Sequence, residues 1–249
     1  MDARRYLLLL PREGGLLADT ADAGDLAAPV PACPGLTVGE VVRHTGSVYR
    51  VVLRWIREGR RPDSWERQPP NGGDSRAVVA WQRRGLAALV DELRTHAAEE
   101  PCATWWSEDR TFGFWRRRMT HETAVHRVDI QAALGEPSEV DAELALDGID
   151  EVLRLWLGTR LDRGLHGGVG GDSYQVQVRA GTLGWHVRLG AARVEVRTGV
   201  DADAAADVSG TPAGLYLWLW GRRADDAVTI TGDLRAARAL RQALAKATQ

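Results

Sequence analysis

The run Arg118-Met119-Thr120-His121-Glu122-Thr123-Ala124-Val125-His126-Arg127-Val128-Asp129 falls inside a longer segment, Phe114 to Leu134, that Gly135 and then Pro137 close. Glycine just past the last periodic residue, with proline shortly after it, is a helix stop signal, so a helix is predicted here. Residues four apart on a helix lie about 40° from one another around the axis. Glu122 and His126 therefore share a face and can reach one cation. His121 is five residues from His126 and points elsewhere.

Three more helices are predicted upstream. Thr37 and Glu40 stand three apart, ahead of Val41, Val42, Val48, Val51, Val52 and Trp55, as in a capping box that opens an amphipathic helix running to about Glu58. His44 lies in its second turn. Before it, Asp2 to about Leu26 has roughly helical apolar spacing, with Pro11 and the Gly14-Gly15 pair predicting a soft joint. The connector Pro29-Val30-Pro31-Ala32-Cys33-Pro34-Gly35 ends that element. Gly59 to Asp74 reads as a loop, and Ser75 to Ala98 resumes helical periodicity. Four such helices predict a four-helix bundle whose core can host a metal or ligand.

The pattern changes after Pro137. Glu139 to Arg160 reads as one more helix, and Gly164 to Gly171 as a glycine-rich turn. Tyr174 to Arg179, Trp185 to Leu189 and Arg193 to Arg197 alternate strictly, which predicts an antiparallel meander with one wet face. A helix from Thr211 to Trp220, a strand from Val228 to Thr231 and a helix from Asp233 to Ala247 complete an α+β layer. The expected domains are 1–138 and 139–249.

Composition narrows the function. Across 249 residues, 32 basic and 34 acidic side chains leave a net charge of -2, which gives no basic field to attract nucleic acid. No apolar stretch reaches the roughly 18 residues of a membrane span, and Pro11, Arg12 and Glu13 interrupt any signal-peptide core. A cytoplasmic protein is expected. Two cysteines, Cys33 and Cys102, supply neither a disulfide framework nor a four-cysteine zinc site, and free thiols are expected.

With His44 facing inward, His44, Glu122 and His126 would present two imidazoles and one carboxylate. That is the ligand complement of a catalytic Zn²⁺ with an open position, or of a non-haem iron facial triad. The plain alternative is a surface i,i+4 pair with His44 buried and hydrogen-bonded. Asp129 reads either as an acceptor behind a ligand histidine or as an exposed helix-end acid. Trp105, Trp106 and Trp115 read as packing, with the first two also able to cover the bundle mouth. Cys33 has no identifiable neighbouring base and reads as a buried structural thiol. At least two of Arg116, Arg117 and Arg118 read as a solvated face, and His166 and His186 as solvated or packed.

Three blocks together closely resemble the mycothiol-dependent maleylpyruvate isomerase family of actinobacteria. They are Cys33-Pro34-Gly35-Leu36-Thr37-Val38 with Val42-Arg43-His44, the run from Arg118 to Asp129, and Leu217-Trp218-Leu219-Trp220-Gly221-Arg222. The resemblance covers nearly the whole chain in one motif order. It implies an α+β protein in which a DinB-like metal-binding four-helix bundle precedes a sterol-carrier-like domain. It also implies His44, Glu122 and His126 as metal ligands, and Arg222 as an active-site residue supplied by the second domain. Leu36 stands where the family usually has tryptophan, a position that reads as packing.

The implied cofactors are a divalent cation, zinc being favoured, and mycothiol as thiol cosubstrate. A cation with an open site lowers the pKa of a thiol and makes a nucleophilic thiolate available near neutral pH. That thiolate could add to an activated alkene and be expelled after bond rotation, giving cis-trans isomerisation, or stay attached, giving S-transfer. Arg222 would hold a substrate carboxylate. The competing class is a binding or regulatory protein that keeps the bundle with a structural metal or none.

Overall fold

The computed structural model describes residues 1–65, 75–159, 173–190, 193–201 and 203–248. They form two compact units, Met1–Ser138 and Glu139–Gln249. In the first unit α1 (Ala3–Ala23), α2 (Val38–Glu58), α3 (Ser75–Arg94) and α4 (Phe112–Ala133) make a bundle in which α1 and α2 each pack against both α3 and α4. Leu10, Leu17, Val41, Val42, Leu89, Leu93 and Ile130 are completely buried at its centre. Each contributes about 1.5–3 kcal/mol through removal of apolar surface from water. α3 ends at Arg94, four residues before the expected Ala98.

The soft joint expected at Pro11 and Gly14-Gly15 is absent, and α1 runs unbroken through all three. Tertiary packing outweighs the local propensity cost here. Gly14 lies where α1 meets α3, and a Cβ there would stand 2.4 Å from Leu86 Cδ2, so this glycine permits the approach. One residue earlier, buried Glu13 accepts from Arg127 Nε of α4 at 2.6 Å. Arg127 also donates to Gln131 Oε1 (2.7 Å) and Ser138 Oγ (2.6 Å). The pair is satisfied without water and ties α1 to the helix bearing Glu122 and His126.

In the second unit Asp141 caps α5 (Ala142–Glu151) by accepting from the backbone N–H groups of Glu143 and Leu144. The single helix expected over Glu139 to Arg160 instead passes into a π-helical segment, Val152–Gly158. Leu153, Leu155 and Leu157 are buried along this segment, and π-helical turns of this kind occur inside α-helices. The glycine-rich turn and His166 lie outside the described residues.

A five-stranded sheet follows, in the order β3-β2-β1-β4-β5, from β1 (Tyr174–Ala180), β2 (Leu183–Leu189), β3 (Val194–Thr198), β4 (Ala206–Ser209) and β5 (Thr229–Gly232). β1, β2 and β3 form the expected antiparallel meander. β4 was not anticipated, and it pairs parallel to β1, placing Ala206 beside Val176 and Val208 beside Val178. Its four residues, Ala-Asp-Val-Ser, are too few to show alternation. Helix α6 (Pro212–Leu219) packs on α5, and α7 (Leu234–Ala247) lies on β1 and β4. On the polar face Gln177 is buried but donates to the Trp185 and Gly199 carbonyls and accepts from Asp201 N–H. Among the described residues no helix is long and apolar enough to cross a membrane.

Candidate metal centre

The centre lies between α2 and α4 of the first unit. α2 starts where the capping box places it: Thr37 Oγ1 accepts from Glu40 N–H (3.4 Å), and a Glu40 carboxylate oxygen accepts from Thr37 N–H (2.7 Å). Hydrogen bonds from Thr37 hold Glu40 below its usual carboxylate range. This fixed start sets the rotation of α2 and so the direction of His44. Next to the centre, buried Tyr49 of α2 shares a 2.9 Å hydrogen bond with Thr123 Oγ1 of α4. Burial pushes the Tyr49 phenol up, so it stays protonated and the bond pins the two helices in register.

His44 Nε2 stands 3.1 Å from Glu122 Oε1, and His126 Nε2 stands 3.4 Å from the same oxygen. The two imidazole rings are 5.0 Å apart at 76°. One donor atom from each of the three residues lies within 4.8 Å of the others. His44 is the most open of the three, its side chain being 38% exposed against 14% for His126 and 16% for Glu122. The set therefore has an accessible side.

Behind it stands a second layer of buried groups. Arg118, one turn before Glu122, donates to its other carboxylate oxygen. Asp129, one turn after His126 and 1% exposed, lies with Oδ2 3.1 Å from His126 Nδ1. With a cation bound, a proton on Nδ1 shared with this carboxylate would leave the Nε2 lone pair free to ligate it. Cys33 Sγ donates to the same Asp129 oxygen at 3.4 Å. Two imidazoles and a carboxylate converging on one point, with one histidine held by a carboxylate, fit a divalent cation of the Zn²⁺, Fe²⁺ or Mn²⁺ type.

Electrostatics favour the carboxylate as a ligand and set a proton against the cation at His126. Burial alone would raise the Glu122 carboxyl, but hydrogen bonds from His126 and His44 and the charge of Arg118 hold it well below the usual range. Burial alone would depress His126, but Asp129, Cys33 and Glu122 hold it well above the ordinary imidazole value. Glu122 is thus a permanent anion, and a proton on His126 competes with any metal.

The structure brings His44, Glu122 and His126 together. Arg222 belongs to the second unit, where its Nη1 donates to the Trp220 carbonyl (2.7 Å) and its guanidinium lies 5.9 Å from the Trp220 ring centre. His121 is buried and packs edge-on against Tyr6.

Several expectations are corrected. Asp129 is the buried acceptor rather than an exposed helix-end acid. Cys33 is partly exposed and has Asp129 beside it, 96 residues away in sequence, so it is not the isolated buried thiol expected. Arg116 and Arg118 are buried rather than solvated: Arg116 donates to the carbonyls of Leu93 and His96, and Arg118 to Glu122. Leu36, expected to pack, is 38% exposed. Trp105 and Trp106 pack on Phe114, and buried Trp115 donates to the Ala103 carbonyl. Arg118 was the one missed residue of the centre with a usable signal, its i,i+4 spacing to Glu122.

The family profile described as the mycothiol maleylpyruvate isomerase N-terminal domain matches residues 10–131, which contain all three of these side chains. The companion C-terminal domain profile of the same isomerase matches residues 143–239. The chain belongs to the mycothiol maleylpyruvate isomerase family. Among solved structures, that of a mycothiol-dependent maleylpyruvate isomerase is similar at 16% identity, covering 95% of this chain and 96% of that one, with a TM-score of 0.60. A histidine-to-alanine mutant of a mycothiol-dependent maleylpyruvate isomerase gives 0.59 at the same identity and coverage. These likenesses show that the α+β architecture of this family member is that of the solved isomerases. No curated protein matches the chain in sequence.

Proposed function

We propose that the protein is a metal-dependent isomerase that uses mycothiol, with His44, Glu122 and His126 holding the cation. The observation that carries this reading is the convergence of these three donors within 4.8 Å, at a place with an accessible side. Family membership supports mycothiol as the thiol and a maleylpyruvate-type alkene as substrate. A bound divalent cation, zinc being favoured, supplies stabilisation of negative charge on sulfur, which keeps the thiol ionised near neutral pH.

The protein's own side chains do the rest. Asp129 holds His126 in the tautomer whose Nε2 faces the centre, and Arg118 fixes the Glu122 carboxylate so that one oxygen faces both histidines. The mycothiol sulfur adds to one carbon of the cis double bond, whose electron pair moves into the neighbouring carbonyl. Rotation about the resulting single bond follows. The carbon–sulfur bond then breaks, its electrons return to sulfur as the double bond re-forms trans, and thiol and atoms are conserved. In this reading Arg222 of the second unit binds a substrate carboxylate through its planar fork.

The test is turnover. With mycothiol present, maleylpyruvate should be converted to fumarylpyruvate, and His126→Ala should lower kcat/KM by about 100-fold or more, as loss of a metal-site contact does. Turnover independent of mycothiol, or unchanged in His126→Ala, would overturn the proposal. Consumption of mycothiol only with electrophiles such as bimanes or epoxides would replace the isomerase by a thiol S-transferase. Activity with neither, from metal-loaded protein, would mark a binding or regulatory protein.

A further inference from the structure

The second unit contains a cavity of about 390 Å³ between the end of α6, strand β5 and the outer side of α7. That volume lies at the small end of the range typical of small-molecule sites. Its apolar lining includes Ile230 of β5 and Leu234, the first residue of α7. Leu234 is 52% exposed, unusual for a leucine that lines a concave surface.

The lining also carries two arginines, Arg238 and Arg241, on the same face of α7 as Leu234. Arg241 stacks over the buried Trp218 ring, 5.0 Å from its centre, and its one hydrogen bond among the described residues is to the Leu219 carbonyl at 3.3 Å. Most of its five donors are left without a protein acceptor. Burial lowers the Arg241 pKa; Asp225 opposes this and the nearby Arg222 adds to it. Arg238, also on the lining, makes no ion pair among the described residues. The acidic group on the lining is Asp225, which accepts from Trp218 Nε1 at 2.9 Å and so is turned toward the indole.

A half-buried guanidinium with free donors, in one cavity with apolar side chains, suits a ligand with an anionic end and an apolar end. Its planar fork matches a carboxylate bidentately. Asp225 would repel a second negative group, so the occupant carries one charge. We propose that this cavity binds a small monocarboxylate with an apolar body, the carboxylate on Arg241 with Arg238 beside it, and the body against Ile230 and Leu234. The site is separate in its residues from the metal centre and stands whether or not the isomerase reading does.

The test is isothermal titration of the full-length protein with 2-naphthoate as the probe, alongside its neutral amide and naphthalene-2,6-dicarboxylate. Saturable one-to-one binding of 2-naphthoate is expected, with both analogues at least tenfold weaker. Arg241→Gln should weaken it at least tenfold, and Arg238→Gln several-fold. His126→Ala should leave it unchanged. Arg238 is exposed, so Arg238→Gln remains informative if Arg241→Gln unfolds. The proposal is overturned by absence of saturable binding at millimolar probe, by equal affinity for the amide, or by Arg238→Gln and a folded Arg241→Gln both binding as wild type does.

Discussion

His126 is the residue on which the centre depends, because it faces two ways. Its Nε2 turns to Glu122 and His44, and its Nδ1 to Asp129. Asp129→Asn should keep the fold yet lower metal affinity by about 10- to 100-fold, the usual effect of losing such a partner, measured by competition with a chromophoric chelator. The raised pKa of His126 sets a sign for pH: a proton on the ring must leave when a cation binds, so acid weakens binding. Protein stripped with chelator should bind Zn²⁺ more tightly at about pH 8 than at about pH 6, with proton release detectable in buffers of different ionisation enthalpy. Equal affinity at both would contradict the assignment. Burial pushes the Cys102 thiol up to about 11. At pH 8 only about one Cys102 in a thousand is then a thiolate, so iodoacetamide should label it far more slowly than a free thiol in solution, as mass spectrometry can show. At this scale the sequence reveals the i,i+4 pair Glu122 and His126, since helical spacing alone joins them. Cys33 beside Asp129 is not legible, because that contact depends on how a connector loop folds back on α4.

Among the elements, the start of α2 was readable because a capping box is a local hydrogen-bond pattern, and Thr37→Ala should cost about 1 kcal/mol of stability in urea unfolding. The continuity of α1 was not readable. Pro11 and the Gly14-Gly15 pair carry real local cost, and what offsets it is nonlocal: packing of Gly14 against Leu86 and the buried Glu13–Arg127 pair. Removing one member of such a pair strands the other charge. Glu13→Ala should therefore destabilise by about 3–5 kcal/mol, whereas replacing both partners with apolar residues of similar volume should cost much less, both read from denaturant midpoints. β4 was invisible for a related reason. Its place in the sheet comes from pairing with β1 across the intervening β2 and β3, and four residues carry no period of their own.

For the whole molecule, a helical pattern followed by an alternating one foretold an α+β protein, and the structure has that architecture in common with the solved isomerases. Arg222 was reached through resemblance rather than spacing, since an arginine after a tryptophan-rich helix carries no chemical signal by itself. If it holds a substrate carboxylate, Arg222→Ala should raise KM or lower kcat while leaving metal content and Thr37-dependent stability unchanged. The isomerase chemistry proposed for this chain requires His44, Glu122 and His126 to bind one cation. The direct measurement is elemental analysis of protein purified without chelator: about one divalent ion per chain in the wild type and less than a tenth of that in a folded His126→Ala is the expected result. Wild-type protein without stoichiometric metal even after reconstitution, or a His126→Ala variant that retains it fully, would contradict the account.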